Sequence, residues 1–326
     1  MSFGQVLKKY EQDPSFFYEE REVKELKENE VLLDMQYAMV NPSDLAFIQG
    51  EYGFKKKLPV VAGFEGSGTV KAVGSAVSTL NIGDRVAATA EFRGDGAWAT
   101  QMITSEDNCF KLLDDISYEQ GARLIVNPLT VEGLLAAAGD AKAIVHTAAA
   151  SSLGRMLAPA AKKAGKELIA VVRRPEQAEI MQKLGVEQVI DTSEQGYPLK
   201  FKKAVKKSEA TCLLDAVAGD LAAQLWEEMP YGSELISYGA LSESSIPVNP
   251  GRAIFQGKKV SGFWLTSWLA QSTAEERVQA AQRAQQAMLD TYEKEDLVKV
   301  PLKELSQAIK DYRANMTGAK PLITMA

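Results

Sequence analysis

From Ala143 to Gly239 the chain alternates short apolar runs with polar stretches of helical length, and this alternation narrows the fold more than any other feature. The runs are "AIVH", "KELIAVV", "EQVID", "TCLLDAV" and "SELISYG". Strands apolar on both faces need helices on both sides of their sheet, and strand–helix–strand connections make successive strands parallel. The expectation is an α/β fold containing a doubly wound parallel sheet. One helix has both ends marked: Pro175 opens "PEQAEIMQKLG" at a position where its missing N–H costs nothing, and Gly185 can adopt the left-handed conformation that closes it. Within "GRMLAPAAKKAG", Pro159 removes a helix hydrogen bond, so a kink or a displaced helix start is expected there.

Residues 1 to about 120 have a different texture. "EVLLDMQYAMV", "GSGTVKAVG", "GDRVAATA" and "AWATQMI" read as short strands between turn signals, which predicts a compact, twisted β unit. Beyond "KKVSGFWLTSW" come a polar amphipathic helix from about Ser272 to Lys294, the run "LVKVP", a further helix and a last strand, "KPLITM". The tail strand is expected to rejoin the first unit and make it discontinuous.

A length of 326 residues, 46% of them hydrophobic and 25% charged, suits two domains and leaves ample core. The net charge of −6 argues against a general nucleic-acid or anionic-membrane surface. Helical spacing spreads Lys200, Lys202, Lys203, Lys206 and Lys207 around a solvated face. No apolar run approaches the ~20 residues that span a bilayer, and the N-terminal stretch has no apolar core before a cleavage site. Cys109 and Cys212 could form at most one bridge, and Cys212 lies in an apolar run, so a reducing, cytoplasmic setting is expected.

The turn after "AIVH" is "HTAAASSLGRM", where a dinucleotide-binding fold places its glycines. Here Ala149, Ala150, Ser151, Ser152 and Leu153 precede a single glycine, Gly154. Small side chains still let backbone N–H groups approach a phosphate, the serines add hydroxyls at a helix N-terminus, and Gly154 keeps the close helix packing. A plain serine-capped turn is the other reading. Twenty positions after Gly154, the strand "ELIAVV" ends in Arg173 and Arg174 rather than in the acid that would bind a ribose hydroxyl. Guanidinium groups suit a 2′-phosphate, which indicates NADP, while a solvated basic turn is the alternative.

Several stretches in order across nearly the whole chain resemble the zinc-independent medium-chain dehydrogenase/reductase superfamily, in its quinone oxidoreductase and mitochondrial-type 2-enoyl thioester reductase branch. They are "VNPSDLAFIQGEYGFKKKLPVVAGFEGSGTVKAVG", "NIGDRV", "VNPLT", "TAAASSLGRM", "SYGAL", "GFWLTSW" and "KPLITM". The resemblance implies a GroES-like β-rich catalytic domain from residues 1–122 and 270–326, and a Rossmann NADPH-binding domain from 123–269. It also implies a homodimer formed along the nucleotide-domain sheet edge, to which "KKVSGFWL" would contribute a strand. Zinc-dependent relatives need a ligand set this chain lacks, for it has one histidine and two cysteines, and Phe64 stands where those enzymes carry a histidine. His146 is expected to pack at a strand end.

Without a metal, reduction of an activated C=C bond needs a hydride at the β-carbon, a proton at the α-carbon and donors to the enolate oxygen. The resemblance places Tyr52 of "QGEYG" as proton donor, a phenol that stays protonated at neutral pH; a tyrosine lining the cleft is the other reading. By the same resemblance Asn41, Asn127 and Thr130 line the nicotinamide side, though all three residue types also suit turns and caps. Tyr238, Gly239 and Ala240 follow a predicted strand at the carboxyl edge where open α/β sheets bind ligands. Phe263, Trp264 and Leu265 would wall the pocket or pack an interface, and Lys320 would reach the cofactor or lie on the surface. The expected activity is NADPH-dependent reduction of an enoyl thioester, enone or enal. The alternatives are an NADPH:quinone oxidoreductase and a non-catalytic NADPH-binding sensor or structural protein.

Overall fold

The apolar runs from Ala143 onward become the strands of one six-stranded sheet. Its members are Ala143–His146, Glu167–Val172, Gln188–Asp191, Cys212–Asp215, Glu234–Ser237 and Lys259–Gly262. Counted in chain order they lie side by side as 3-2-1-4-5-6, and every pairing is parallel. This is the doubly wound arrangement, in which the order reverses between the first and fourth strands. The computed structural model describes residues 1–292, 296–316 and 318–325.

Burial explains the sheet. Val145, Ile169, Leu213 and Leu235 are all inaccessible, packed with Phe201, Leu225 and Trp226 from the covering helices. Helix Pro175–Lys183 starts on its proline, and Gly185 (φ +78°) ends the turn that follows it. Helix Ser152–Lys163 runs through Pro159, so the proline has not displaced its start. Helix Tyr197–Lys207 turns Phe201, Ala204 and Val205 inward and leaves its five lysines exposed.

Contacts divide the chain into two compact units, with Leu129–Thr273 carrying this sheet and the other unit built from Met1–Pro128, Ala274–Asp290 and the described part of 294–326. In the second of these, strand Glu30–Met39 is the centre: Val31, Leu33 and Met35 point inward on alternate positions. It pairs antiparallel with Glu65–Val73, Gln101–Ser105 and the tail strand Lys320–Thr324. Strand Leu297–Pro301 adds in parallel beside the tail. Helix Ala274–Asp290 joins this unit through buried Gln285, whose Oε1 accepts from Leu113 N at 2.8 Å and whose Nε2 donates to the Lys111 carbonyl at 3.1 Å. The expected end of this helix at Lys294 lies outside the described residues. Among the described residues no helix is long and apolar enough to cross a membrane.

Candidate functional site

At the point where the sheet order reverses, the ends of Ala143–His146 and Cys212–Asp215 are fastened together. Thr147 Oγ1 donates to Asp215 Oδ1 at 2.7 Å and accepts from Ala216 N at 2.9 Å. Asp215 also accepts from Val217 N (3.2 Å) and Ala218 N (2.8 Å). The crevice of an open α/β sheet therefore has a rigid floor here. Neither Thr147 nor Asp215 was singled out by sequence; the signal was a buried-strand run ending in an acid, "TCLLDAV".

The loop above it is partly self-satisfied. Ala149 N donates to Val171 O, Ser151 N to Ala148 O, and Gly154 N to the Ser151 hydroxyl oxygen, which is the helix cap. Ala148 holds a φ of +48° to make the turn. Among the described residues the N–H groups of Ala150, Ser152 and Leu153 find no protein acceptor, and they stand at the N-terminus of a 12-residue helix. Of the loop positions proposed from sequence, these offer main-chain donors, and the Ser151 and Ser152 hydroxyl protons add two more. A Cβ on Gly154 would lie 2.1 Å from Ala149 O, so only glycine lets the helix approach this closely. A cradle of unpaired donors at a helix end fits a phosphate.

Around this loop, Arg173 and Arg174 are exposed at the end of Glu167–Val172 and form no ion pair among the described residues; Arg174 caps helix Pro175–Lys183. Tyr238 donates its backbone N–H to Asp215 O, and its hydroxyl lies 2.6 Å from His146 Nε2 with the rings stacked. His146 is fully buried, which drives its pKa down to about 3 and keeps it neutral; burial raises the Tyr238 phenol. Gly239 sits against Ala216, and Ala240 is exposed. Phe263 packs on Gly133 of helix Thr130–Ala137, while Trp264 caps helix Leu265–Gln271 and is partly exposed. Thr130 is buried in this unit.

In the β-rich unit Asn41 is bonded to two buried carboxyl groups, Glu65 and Asp44. Asn41 is buried, and its Nδ2 donates to Glu65 Oε1 at 2.7 Å. Glu65 Oε2 accepts from Ile125 N and Val126 N, both at 2.9 Å, and so holds the turn Ile125–Leu129 that carries Asn127. Asp44 accepts from Asn41 N (2.8 Å) and Phe64 N (2.9 Å). Burial pushes Glu65 up to about 7 and Asp44 up to about 8, against the pull of these donors. Lys320 is buried, not on the surface, and its charge opposes the rise at Glu65. Tyr52 is half-buried among Phe54 (5.4 Å between ring centroids) and Phe64 (4.8 Å). Sequence reading did not find Glu65 or Asp44, because an acid in "NPSD" or "FEG" looks like any turn residue.

Residues 27–114 match the alcohol dehydrogenase GroES-like domain, and residues 152–284 match the zinc-binding dehydrogenase domain. The mitochondrial enoyl-[acyl-carrier-protein] reductase of Xenopus tropicalis is 30% identical over 313 residues, spanning 91% of this chain and 88% of that protein. A solved structure from Mesorhizobium loti, assigned as an NADPH:quinone reductase, is 32% identical with a TM-score of 0.88 and covers 99% of this chain and 98% of its own. The mitochondrial 2-enoyl thioester reductase heterodimer of Candida tropicalis, 24% identical with a TM-score of 0.83 and 99% coverage of each chain, shares the fold. Despite the name of the second domain, among the described residues no group of three or more His, Cys, Asp or Glu side chains could hold a metal ion. The single histidine is buried against Tyr238, and Phe64 lies in an aromatic cluster. Related to an enoyl reductase across 91% of its length, the chain belongs to the medium-chain dehydrogenase/reductase superfamily, in the branch of quinone oxidoreductases and 2-enoyl thioester reductases.

Proposed function

We propose that the chain is a zinc-independent, NADPH-dependent reductase of activated C=C bonds in α,β-unsaturated carbonyl compounds, with enoyl thioesters as the leading substrate class. One observation carries this reading. A doubly wound sheet carries N–H donors at its switch point and two arginines at the end of the neighbouring strand, all without a partner among the described residues, in a chain 30% identical to an enoyl reductase over 91% of its length. The residues 1–122 and 270–326 would form the catalytic domain and 123–269 the nucleotide domain.

When bound, the nicotinamide supplies hydride to the β-carbon. The N–H groups of Ala150, Ser152 and Leu153 and the hydroxyls of Ser151 and Ser152 would hold the pyrophosphate, and Arg173 and Arg174 the 2′-phosphate. Tyr238, Gly239, Ala240, Phe263, Trp264 and Leu265 would line the nicotinamide end with Thr130 and Asn127. Tyr52 would deliver the proton to the α-carbon. Asn41 and Lys320, both buried, would act through Glu65 by fixing the turn that carries Asn127.

Strand Lys259–Gly262 is one edge of the sheet and is exposed along its whole length, with Ile254 and Phe255 exposed nearby. This supports a homodimer through that edge. Both cysteines are free thiols, which supports a reducing compartment such as the cytoplasm.

The test is NADPH oxidation with crotonyl-CoA, trans-2-hexenal and a benzoquinone panel. The expected result is a clear kcat/KM preference for an unsaturated carbonyl compound and a large fall in kcat for Tyr52→Phe when chemistry limits turnover. The quinone reading is favoured by the 32% identity to the Mesorhizobium loti protein, and a large preference for quinones would establish it instead. NADPH binding without turnover of any substrate would point to a sensor.

A further inference from the structure

The turn Glu91–Gly96 carries Phe92, a residue 44% exposed. Burial does not hold this ring in place, yet the turn beneath it is fastened at several points. Lys56 Nζ donates to Gly94 O at 2.9 Å, Arg21 pairs with Asp95 at 3.1 Å, and Val61 N donates to Asp95 Oδ1 at 2.9 Å. Gly96 N donates to Val61 O at 2.8 Å, and Gly96 lies so close to Ala62 that a Cβ would meet its carbonyl oxygen at 2.3 Å.

Lys56 is itself buried, and burial lowers its ammonium to about 8 against the carboxylates of Asp95, Glu91 and Asp44. Burying an ammonium is costly. Its retention points to a demand on where this turn sits. The visible consequence is that the Phe92 ring lies 4.6 Å from Phe54. Phe54 meets Tyr52 nearly edge-on, and Tyr52 packs against Phe64. A continuous aromatic wall therefore runs from half-buried Tyr52 to the exposed face of Phe92.

We propose that Phe54 and Phe92 form the binding wall for an extended apolar tail of the substrate, and that Lys56 is the positioning residue that holds Phe92 in line with Tyr52. The inference rests on Tyr52 marking the reacting end. It narrows the substrate class to compounds with medium-length alkyl or aromatic substituents beyond the double bond, in preference to short ones.

Calorimetric titration of the full chain with decanoyl-CoA and butyryl-CoA, saturated compounds that require no turnover, reads the preference directly. The wild type should bind decanoyl-CoA more tightly. Phe92→Ala, a surface change that leaves the core intact, should lower the ratio of the two affinities about tenfold, the scale expected for losing one aromatic wall. Lys56→Met, with Phe92 still present, should lower the same ratio while circular dichroism shows a folded chain. A wild type without the preference, or a Phe92→Ala ratio within twofold of it, overturns the proposal. Should the preference persist while 2-decenoyl-CoA is not reduced, the tail site stands and the reductase assignment falls.

Discussion

Replacing Gly154 by alanine tests the loop where sequence and structure meet. The new Cβ would stand 2.1 Å from the Ala149 oxygen, 2.6 Å from its carbonyl carbon and 2.8 Å from its Cα. Ala149 cannot give way: it is fully buried and its N–H is bonded to Val171 O. Helix Ser152–Lys163 must therefore recede by roughly 1 Å to restore ordinary contact, taking buried Leu153, Met156 and Leu157 with it. Overpacking of this kind costs about 1–3 kcal/mol. In a unit of this size that lowers the melting temperature by roughly 3–10 °C. The same shift carries the Ser152 and Leu153 donors away from a bound phosphate. Losing one charge-assisted hydrogen bond, about 1.5–3 kcal/mol, weakens NADPH by roughly 10- to 150-fold. Thermal denaturation reads the first effect and fluorescence titration with NADPH the second. A variant that melts within about 1 °C of the wild type and binds NADPH within twofold would refute the reasoning. A lowered melting temperature with unchanged affinity would keep the packing argument and reject the phosphate site.

Asp215→Ala removes the acceptor for Thr147 Oγ1 and for the N–H groups of Val217 and Ala218. With buried donors left unpaired, urea unfolding should show a loss of about 3–5 kcal/mol, and a loss under about 1 kcal/mol would contradict the accounting. Glu65 has a raised folded-state pKa, so the folded chain holds its proton more tightly than the unfolded one and the wild type loses stability as pH rises from about 4.5 to about 7. Relative to Glu65→Gln the loss should reach up to about 3 kcal/mol, measured by urea titrations at pH 5 and pH 8; parallel behaviour of the two proteins would rule it out. Neutralising Arg173 and Arg174 together should weaken NADPH about 10-fold or more while leaving NADH nearly unchanged, and equal losses would remove the pair from 2′-phosphate recognition. Phe255→Glu with Val260→Lys should convert a dimer to a monomer in sedimentation velocity, and a wild type that sediments as a monomer would overturn the sheet-edge interface.

The sequence by itself determined the α/β class and the parallel sheet, because burial on both faces leaves a local signature, the unbroken apolar run, that can be read without knowing its neighbours. It also located the helix start at Pro175, the left-handed turn at Gly185 and the small-residue loop around Gly154, each the property of one residue's own backbone. The resemblance supplied the candidate positions Tyr52, Asn41 and the rest. Which donors of that loop remain unpaired was decided only in three dimensions, since Ala149 is engaged by Val171, 22 residues away in sequence. The same holds for Thr147 and Asp215, which are 68 positions apart, for the grip of Glu65 on Val126 61 positions later, and for buried Lys320 beside Glu65. Local pattern reports which face of a segment is apolar. The partner of a buried polar group is set by how distant segments pack, and that depends on the whole chain at once.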